Sequence, residues 1–234
     1  MHYLGLATDY DGTLAHEGQV DVVTLIALRK LLASGRKLIL VTGRQLPDLL
    51  EVFPAVGLCD RVVAENGAVL YDPKTRSEKL LALPFPHSFI QALRARGLSP
   101  LAVGRVIVAT EEPHLQMLGD VIREQGLKVQ IEFNKGAVMV LPRGIDKASG
   151  LRSALSELNI SSLNVVGVGD GENDLALLRY CGFSAAVANA LPPLKTSADR
   201  VTELPSSAGV VELIEQLLSG ELEYFSQRPQ VALR

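Results

Sequence analysis

Asp9 and Asp11 stand two residues apart where a short apolar run ends, and Gly12 and Thr13 follow at once. On a strand, residues i and i+2 share a face, so the two carboxylates can point the same way while Tyr10 points elsewhere. Like charges held that close repel each other. The pairing is tolerable if a divalent cation lies between them, or if one carboxyl keeps its proton and works as an acid. The alternative is an N-terminal strand running into an Asp-Gly turn, which is common punctuation. Matching groups recur down the chain: Thr42-Gly43-Arg44 closes a second apolar run, Lys147 opens a helix, and Gly169-Asp170-Gly171-Glu172-Asn173-Asp174 closes another run. Phosphoryl transfer needs a nucleophile, a group that manages protons, and positive charge around three equatorial oxygens. These residue types supply one of each.

Asp-x-Asp-Gly-Thr at 9–13, Thr42-Gly43-Arg44, Lys147 within Gly144-Ile145-Asp146-Lys147-Ala148, and the 169–174 motif, taken in that order, resemble the haloacid dehalogenase (HAD) superfamily. The pattern is most similar to the Cof-type, subclass IIB phosphatases, whose cap domain is inserted between the second and third motifs. Glu65-Asn66-Gly67-Ala68 and Ala188-Asn189-Ala190 also resemble that branch, and the likeness runs from about Leu4 to about Leu218.

Asp9 is the candidate nucleophile, ionised by its ordinary pKa and able to form an aspartyl-phosphate. Asp11 would protonate the leaving alcohol and then deprotonate the attacking water, the role the resemblance also implies. An anion attacking an anion needs a neutralising cation, and magnesium suits hard oxygen ligands. The resemblance places that ion on the side chains of Asp9 and Asp170 and on the backbone carbonyl of Asp11. Asp174 is either a direct ligand or one acting through water; its spacing of four from Asp170 also fits helix capping. Lys147 is the expected phosphate clamp, and the hydroxyls of Thr13 and Thr42 donate to the remaining oxygens. Gly43 and Asn173 belong to the same phosphate-binding set. Arg44 and Asn66 sit just past strand ends, where open α/β sheets bind ligands, though Arg44 could equally be a surface ion-pair partner. Arg105, His114 and Lys135 could meet the substrate, but nothing in their spacing selects one.

The elements that must hold these residues read as an α/β protein with a doubly wound, Rossmann-like parallel sheet and a small inserted α+β cap. A helix over 22–32, capped by Asp21, lies between apolar runs at 4–8 and 37–41, a βαβ unit. A short helix at 45–53 and strands at 61–65 and 68–71, joined by the hairpin signal Asn66-Gly67, complete the first half. Between 81 and 142 the order changes to helix (87–96), strand (105–110), helix (113–125) and two strands (128–133 and 137–141). The core resumes with a helix at 146–158, a strand at 165–168, a helix at 175–180, short strands at 184–188 and 200–201, and a helix at 209–218. The expected division is 1–80 with 143–219 as core, 81–142 as cap, and 220–234 as a polar tail.

At 234 residues and a net charge of -3 the chain carries neither a nucleic-acid footprint nor a polybasic membrane surface. Cys59 and Cys181 show no metal-ligand spacing and read as buried thiols, and the N-terminal run lacks the pattern of a signal peptide, so a cytoplasmic protein is expected. The expected function is magnesium-dependent hydrolysis of small phosphate monoesters, sugar phosphates or similar metabolites. A phosphomutase and a non-catalytic regulatory module are the alternatives. Oligomeric state, monomer or dimer, is open.

Overall fold

Continuous apolar runs are the mark of strands buried on both faces. The computed structural model, which describes residues 3–222, lays these runs side by side. In chain order the first half is β1 (Gly5–Thr8), α1 (Val22–Ala33), β2 (Lys37–Val41), α2 (Leu46–Val52), β3 (Arg61–Ala64), β4 (Val69–Asp72) and β5 (Ser77–Leu80). There follow α3 (His87–Ala95), β6 (Ala102–Val103), β7 (Val108–Glu111), α4 (Leu115–Glu124), β8 (Val129–Asn134) and β9 (Ala137–Pro142). The last part is α5 (Lys147–Leu158), β10 (Val165–Gly169), α6 (Leu175–Tyr180), β11 (Phe183–Ala186), α7 (Pro192–Ser197), β12 (Arg200–Val201) and α8 (Ser206–Ser219).

The larger sheet has the order β12-β11-β10-β1-β2-β3-β4-β5. It is parallel from β12 to β3 and antiparallel from β3 to β5. Strands run outward from β1 in one direction early in the chain and in the other direction late, so the switch point lies between β1 and β10. Ligands bind at such points, beyond the carboxyl ends of the strands. One face of the sheet is buried under α1, α2, α7 and α8, with Leu28, Leu31, Leu49, Leu194 and Leu213 among the contributors. The other is covered by α5 and α6 through Leu151, Ala154, Leu155 and Leu177. Leu222 is fully buried against the first of these clusters, so packing extends past Gly220; the rest of the expected polar tail lies outside the described residues.

The smaller sheet, β6-β7-β9-β8, is antiparallel throughout. Alternation along β9 divides its two faces. Val138 and Val140 pack on Phe89, Leu93, Leu118 and Val121 of α3 and α4, whereas Met139 and Leu141 join Ala68, Val106 and Ile107 on the side of the larger sheet. Three elements escaped the sequence reading: β5, the two-residue β6 and α7. β5 is a polar edge strand exposed along its whole length, and α7 begins at a Pro-Pro pair. The strand expected over 105–110 forms only from Val108, because the amides of Arg105, Val106 and Ile107 are taken by the Glu65 side chain. Among the described residues no helix is long and apolar enough to cross a membrane.

The Asn66-Gly67 turn joins β3 to β4 and also seats α5. Gly67 has a φ of 108°, and a Cβ there would stand 1.9 Å from the Asp146 carbonyl oxygen. Asp146 caps α5 through the Ser149 N–H, and Lys147 begins the helix, so this close approach places the lysine. Gly67→Ala combines a forbidden backbone with a backbone clash. It is expected to destabilise the chain by about 3 kcal/mol or more, read from urea unfolding.

Candidate active site

The acidic residues expected to converge do so for Asp9, Asp170 and Asp174, and not for the side chain of Asp11. β1 and β10 are adjacent in register, Thr8 beside Val168, so residues just past their ends are neighbours. The Asp9 N–H donates to the Val168 carbonyl at 3.0 Å. Carboxylate oxygens of Asp9, Asp170 and Asp174 lie within 4.8 Å of one another, and all three residues are buried. Lys147, 1 % exposed, enters from the start of α5 and donates to Asp9 Oδ1 at 2.6 Å and to Asp174 Oδ1 at 2.5 Å. The second oxygen of Asp174 accepts from the N–H groups of Asp170 and Gly171, both at 2.9 Å. The capping alternative for Asp174 therefore also holds: one oxygen braces its own turn while the other faces the cluster.

Burial and the charge of Asp174 push the Asp9 carboxyl up to about 7, against the pull of Lys147. Burial also raises Asp170, opposed by Lys135. Burial alone would lower the Lys147 pKa, but Asp174 and Asp9 outweigh it, so the ammonium is held charged. Lys135, on the turn between β8 and β9, donates to Asp170 Oδ2 at 2.5 Å. With Asp9 ionised, three buried carboxylates against two ammoniums leave an excess of negative charge, and a divalent cation with oxygen preference fits such a donor set.

Asp11 behaves differently because β1 ends at Thr8. Past that point the chain turns, with the Leu14 N–H donating to the Asp9 carbonyl and the Ala15 N–H to the Tyr10 carbonyl, and strand alternation no longer applies. The Asp11 carboxylate is gripped by the Arg44 fork, Nε to Oδ2 and Nη2 to Oδ1, each 2.7 Å. The ion-pair reading of Arg44 is thus the observed one, though the pair lines a cavity of about 280 Å³ together with Asp9, Gly43, Asn134, Met139 and Asn173. Thr42 Oγ1 accepts from the Arg44 N–H at 3.1 Å. Asn173 Nδ2 donates to Asn66 Oδ1 at 2.9 Å. Buried polar atoms without a protein partner include Thr13 Oγ1, Asn66 Nδ2, Asn134 Oδ1 and Asn173 Oδ1, and the last two residues line the cavity. Orphaned groups of this kind mark where a polar ligand is accommodated.

Two contributors had no role in the cluster assigned from the sequence. Asn189 donates to the Gly12 carbonyl at 2.8 Å and to Asp170 Oδ2 at 3.2 Å, while its oxygen takes the Ser206 N–H. Its signal was the likeness of Ala188-Asn189-Ala190 to the family branch, which assigned the amide no role. Of the three cations considered between 81 and 142, the structure brings Lys135 to the cluster; Arg105 instead pairs with Glu78 at 3.5 Å.

The family model of haloacid dehalogenase-like hydrolases matches residues 6–101 and 100–214. The chain belongs to this family. Phosphoglycolate phosphatase 2 of Saccharolobus solfataricus is 34% identical over 228 residues, which span 92% of each chain. A haloacid dehalogenase-like hydrolase from Bacteroides thetaiotaomicron shares the fold with a TM-score of 0.78 at 20% identity, over 92% of this chain and 99% of that one. The fold is also that of a subclass IIB sugar phosphatase, with a TM-score of 0.72 at 18% identity over 91% and 98% of the two chains.

Proposed function

We propose that this phosphatase hydrolyses small phosphate monoesters with magnesium as cofactor, through an aspartyl-phosphate on Asp9. The observation that carries the reading is the convergence of Asp9, Asp170 and Asp174 around Lys147 at the switch point of the parallel sheet. Phosphoglycolate is the first ester to test, since a curated relative bears that name and the cavity is small.

Asp9, Asp170 and Asp174 would hold the magnesium ion, with the backbone carbonyl of Asp11, and the ion would supply charge neutralisation for an anionic phosphate meeting an anionic nucleophile. Asp9 attacks phosphorus through a carboxylate oxygen. Lys147 and the hydroxyls of Thr13 and Thr42 stabilise the equatorial oxygens. A phosphate entering beside Arg44 competes with Asp11 for the guanidinium, which would free Asp11 to pass a proton to the leaving oxygen and later to take one from water. The smaller sheet, in the place of a cap over residues 81–142, walls the cavity with Ala102, Ile107, Ala109 and Met139, and its closing over bound substrate would limit water access.

A phosphate-release screen over a metabolite panel, with and without magnesium and with Asp9→Asn as the blank, tests the reading. Free phosphate that requires both magnesium and Asp9 is expected. Conversion of a sugar phosphate to an isomer without release, or release unaffected by Asp9→Asn, would overturn it. The raised Asp9 pKa makes a second prediction. A cation must expel the Asp9 proton at acidic pH, so magnesium affinity is expected to rise by up to about tenfold per pH unit below 7 and to level off above it. Calorimetry between pH 5.5 and 8.5, in buffers of different ionisation enthalpy, reads both the affinity and the released proton; a flat profile counts against it.

A further inference from the structure

Glu65 lies outside the acidic cluster, yet its backbone and its side chain hold two different walls of the cavity. Its N–H donates to the Arg44 carbonyl at 2.9 Å, and the Asn66 N–H donates to the Thr42 carbonyl at 2.9 Å, tying the β3–β4 turn to the 42–44 loop. Its carboxylate reaches across to the smaller sheet. Oε1 accepts from the Arg105 N–H at 2.8 Å, and Oε2 accepts from Val106 at 2.8 Å and Ile107 at 3.0 Å. The residue is fully buried and sits at a φ of 52°. A non-glycine residue keeps such a backbone only where its surroundings over-determine it, and such positions cluster at functional sites. On the facing side, a Cβ on Gly104 would stand 2.7 Å from this carboxylate, so the 104–107 turn is shaped to admit it. Ala102 and Ile107, on the two arms of that turn, line the cavity with Asp9 and Arg44.

We propose that Glu65 is a positioning residue: its carboxylate latches the 104–107 turn, sets where the cap wall stands over Asp9, and thereby decides which leaving groups fit. The consequence for substrates rests on the phosphatase reading, whereas the latch itself does not. A carboxylate can meet all three N–H groups; an amide of the same shape has one acceptor oxygen and would turn an NH2 group toward the remaining backbone donor. Because the 42–44 loop is braced by the backbone N–H groups of Glu65 and Asn66 and not by the Glu65 carboxylate, loss of the carboxylate contacts is felt at the cap wall and not at the phosphate seat made by Lys147, Thr13 and Thr42.

Four variants test this: Glu65→Gln, Glu65→Ala, Gly104→Ala and the Glu65→Ala/Gly104→Ala pair. For the ester hydrolysed best in the panel, Glu65→Gln and Gly104→Ala are each expected to raise KM about tenfold. The inhibition constant of orthophosphate, which needs only the core groups, should stay within about twofold. Adding Gly104→Ala to Glu65→Ala should change KM little, since the clash has lost its partner. Hydrogen exchange at the Arg105, Val106 and Ile107 amides should accelerate in Glu65→Gln. Independent, multiplying effects of the two sites, a rise in the orthophosphate constant parallel to KM, or unchanged exchange at those amides would overturn the proposal. If no ester in the panel is turned over, the phosphatase reading has failed, and amide exchange with the non-additivity of urea midpoints still decides the latch.

Discussion

Asp9→Asn is expected to abolish turnover and, in chelator at pH 8, to make the folded chain more stable. As the proposed nucleophile Asp9 has no substitute in the cluster, because Asp174 is committed to its own turn and to Lys147. A loss of about 10⁴-fold or more in kcat is expected. The stability gain follows from linkage. The folded-state pKa of Asp9 lies near 7, above the ordinary 3.8, so the folded chain binds this proton more tightly than the unfolded chain does. Its contribution to stability is therefore present at low pH and is lost as pH rises from about 4 to about 7. Asparagine keeps the shape and removes that liability. The gain at pH 8 should be about 2 kcal/mol, less than the full shift implies because the attraction to Lys147 is lost as well. It should shrink toward pH 4, and magnesium should stabilise the variant less than the wild type. Urea unfolding of both proteins at pH 4.5 and 8, with and without magnesium, checks this; an Asp9→Asn variant less stable than the wild type at pH 8 in chelator would refute the charge balance described here.

Lys147→Met should do the opposite to stability. Methionine fills much of the same volume and keeps an apolar stem, so the change isolates the ammonium. Without it, Asp9 and Asp174 face each other with no cation from α5, and removing one partner of a buried charge set typically costs about 3–5 kcal/mol. The loss should be largest above pH 7, where Asp9 is ionised, and smaller near pH 5, where it takes a proton. Magnesium, bringing positive charge to the same carboxylates, should recover part of it. For turnover the loss of a donor aimed at the phosphate oxygens corresponds to about 10²–10³-fold in kcat. Thermal unfolding across pH with and without magnesium, alongside kcat on the panel's best ester, reads both effects. A variant of wild-type stability in chelator at pH 8 would mean that Lys147 does not neutralise the cluster.

Most of the order of strands and helices was legible in the chain; β5, β6 and α7 were not. Parallel strands buried on both faces are unbroken apolar runs, Asp21 and Asp146 cap α1 and α5 through amides three residues away, and Asn66-Gly67 turns the chain between β3 and β4. These are rules of near neighbours, and near neighbours are what a sequence displays. The convergence of Asp9, Asp170, Asp174 and Lys147 was legible for a related reason: each stands at the end of a strand or the start of a helix, and parallel order carries all such ends to one edge. Where the Asp11 carboxylate points was not legible, because strand alternation stops at Thr8 and the choice falls to Arg44, thirty-three residues on. Neither was the selection of Lys135 over Arg105, nor the capture of three amides by Glu65 some forty residues away, which shortens the strand expected from 105. Those outcomes depend on how the smaller sheet sits on the larger one. That seating is decided by packing and by hydrogen bonds between distant residues, for which no local periodicity exists.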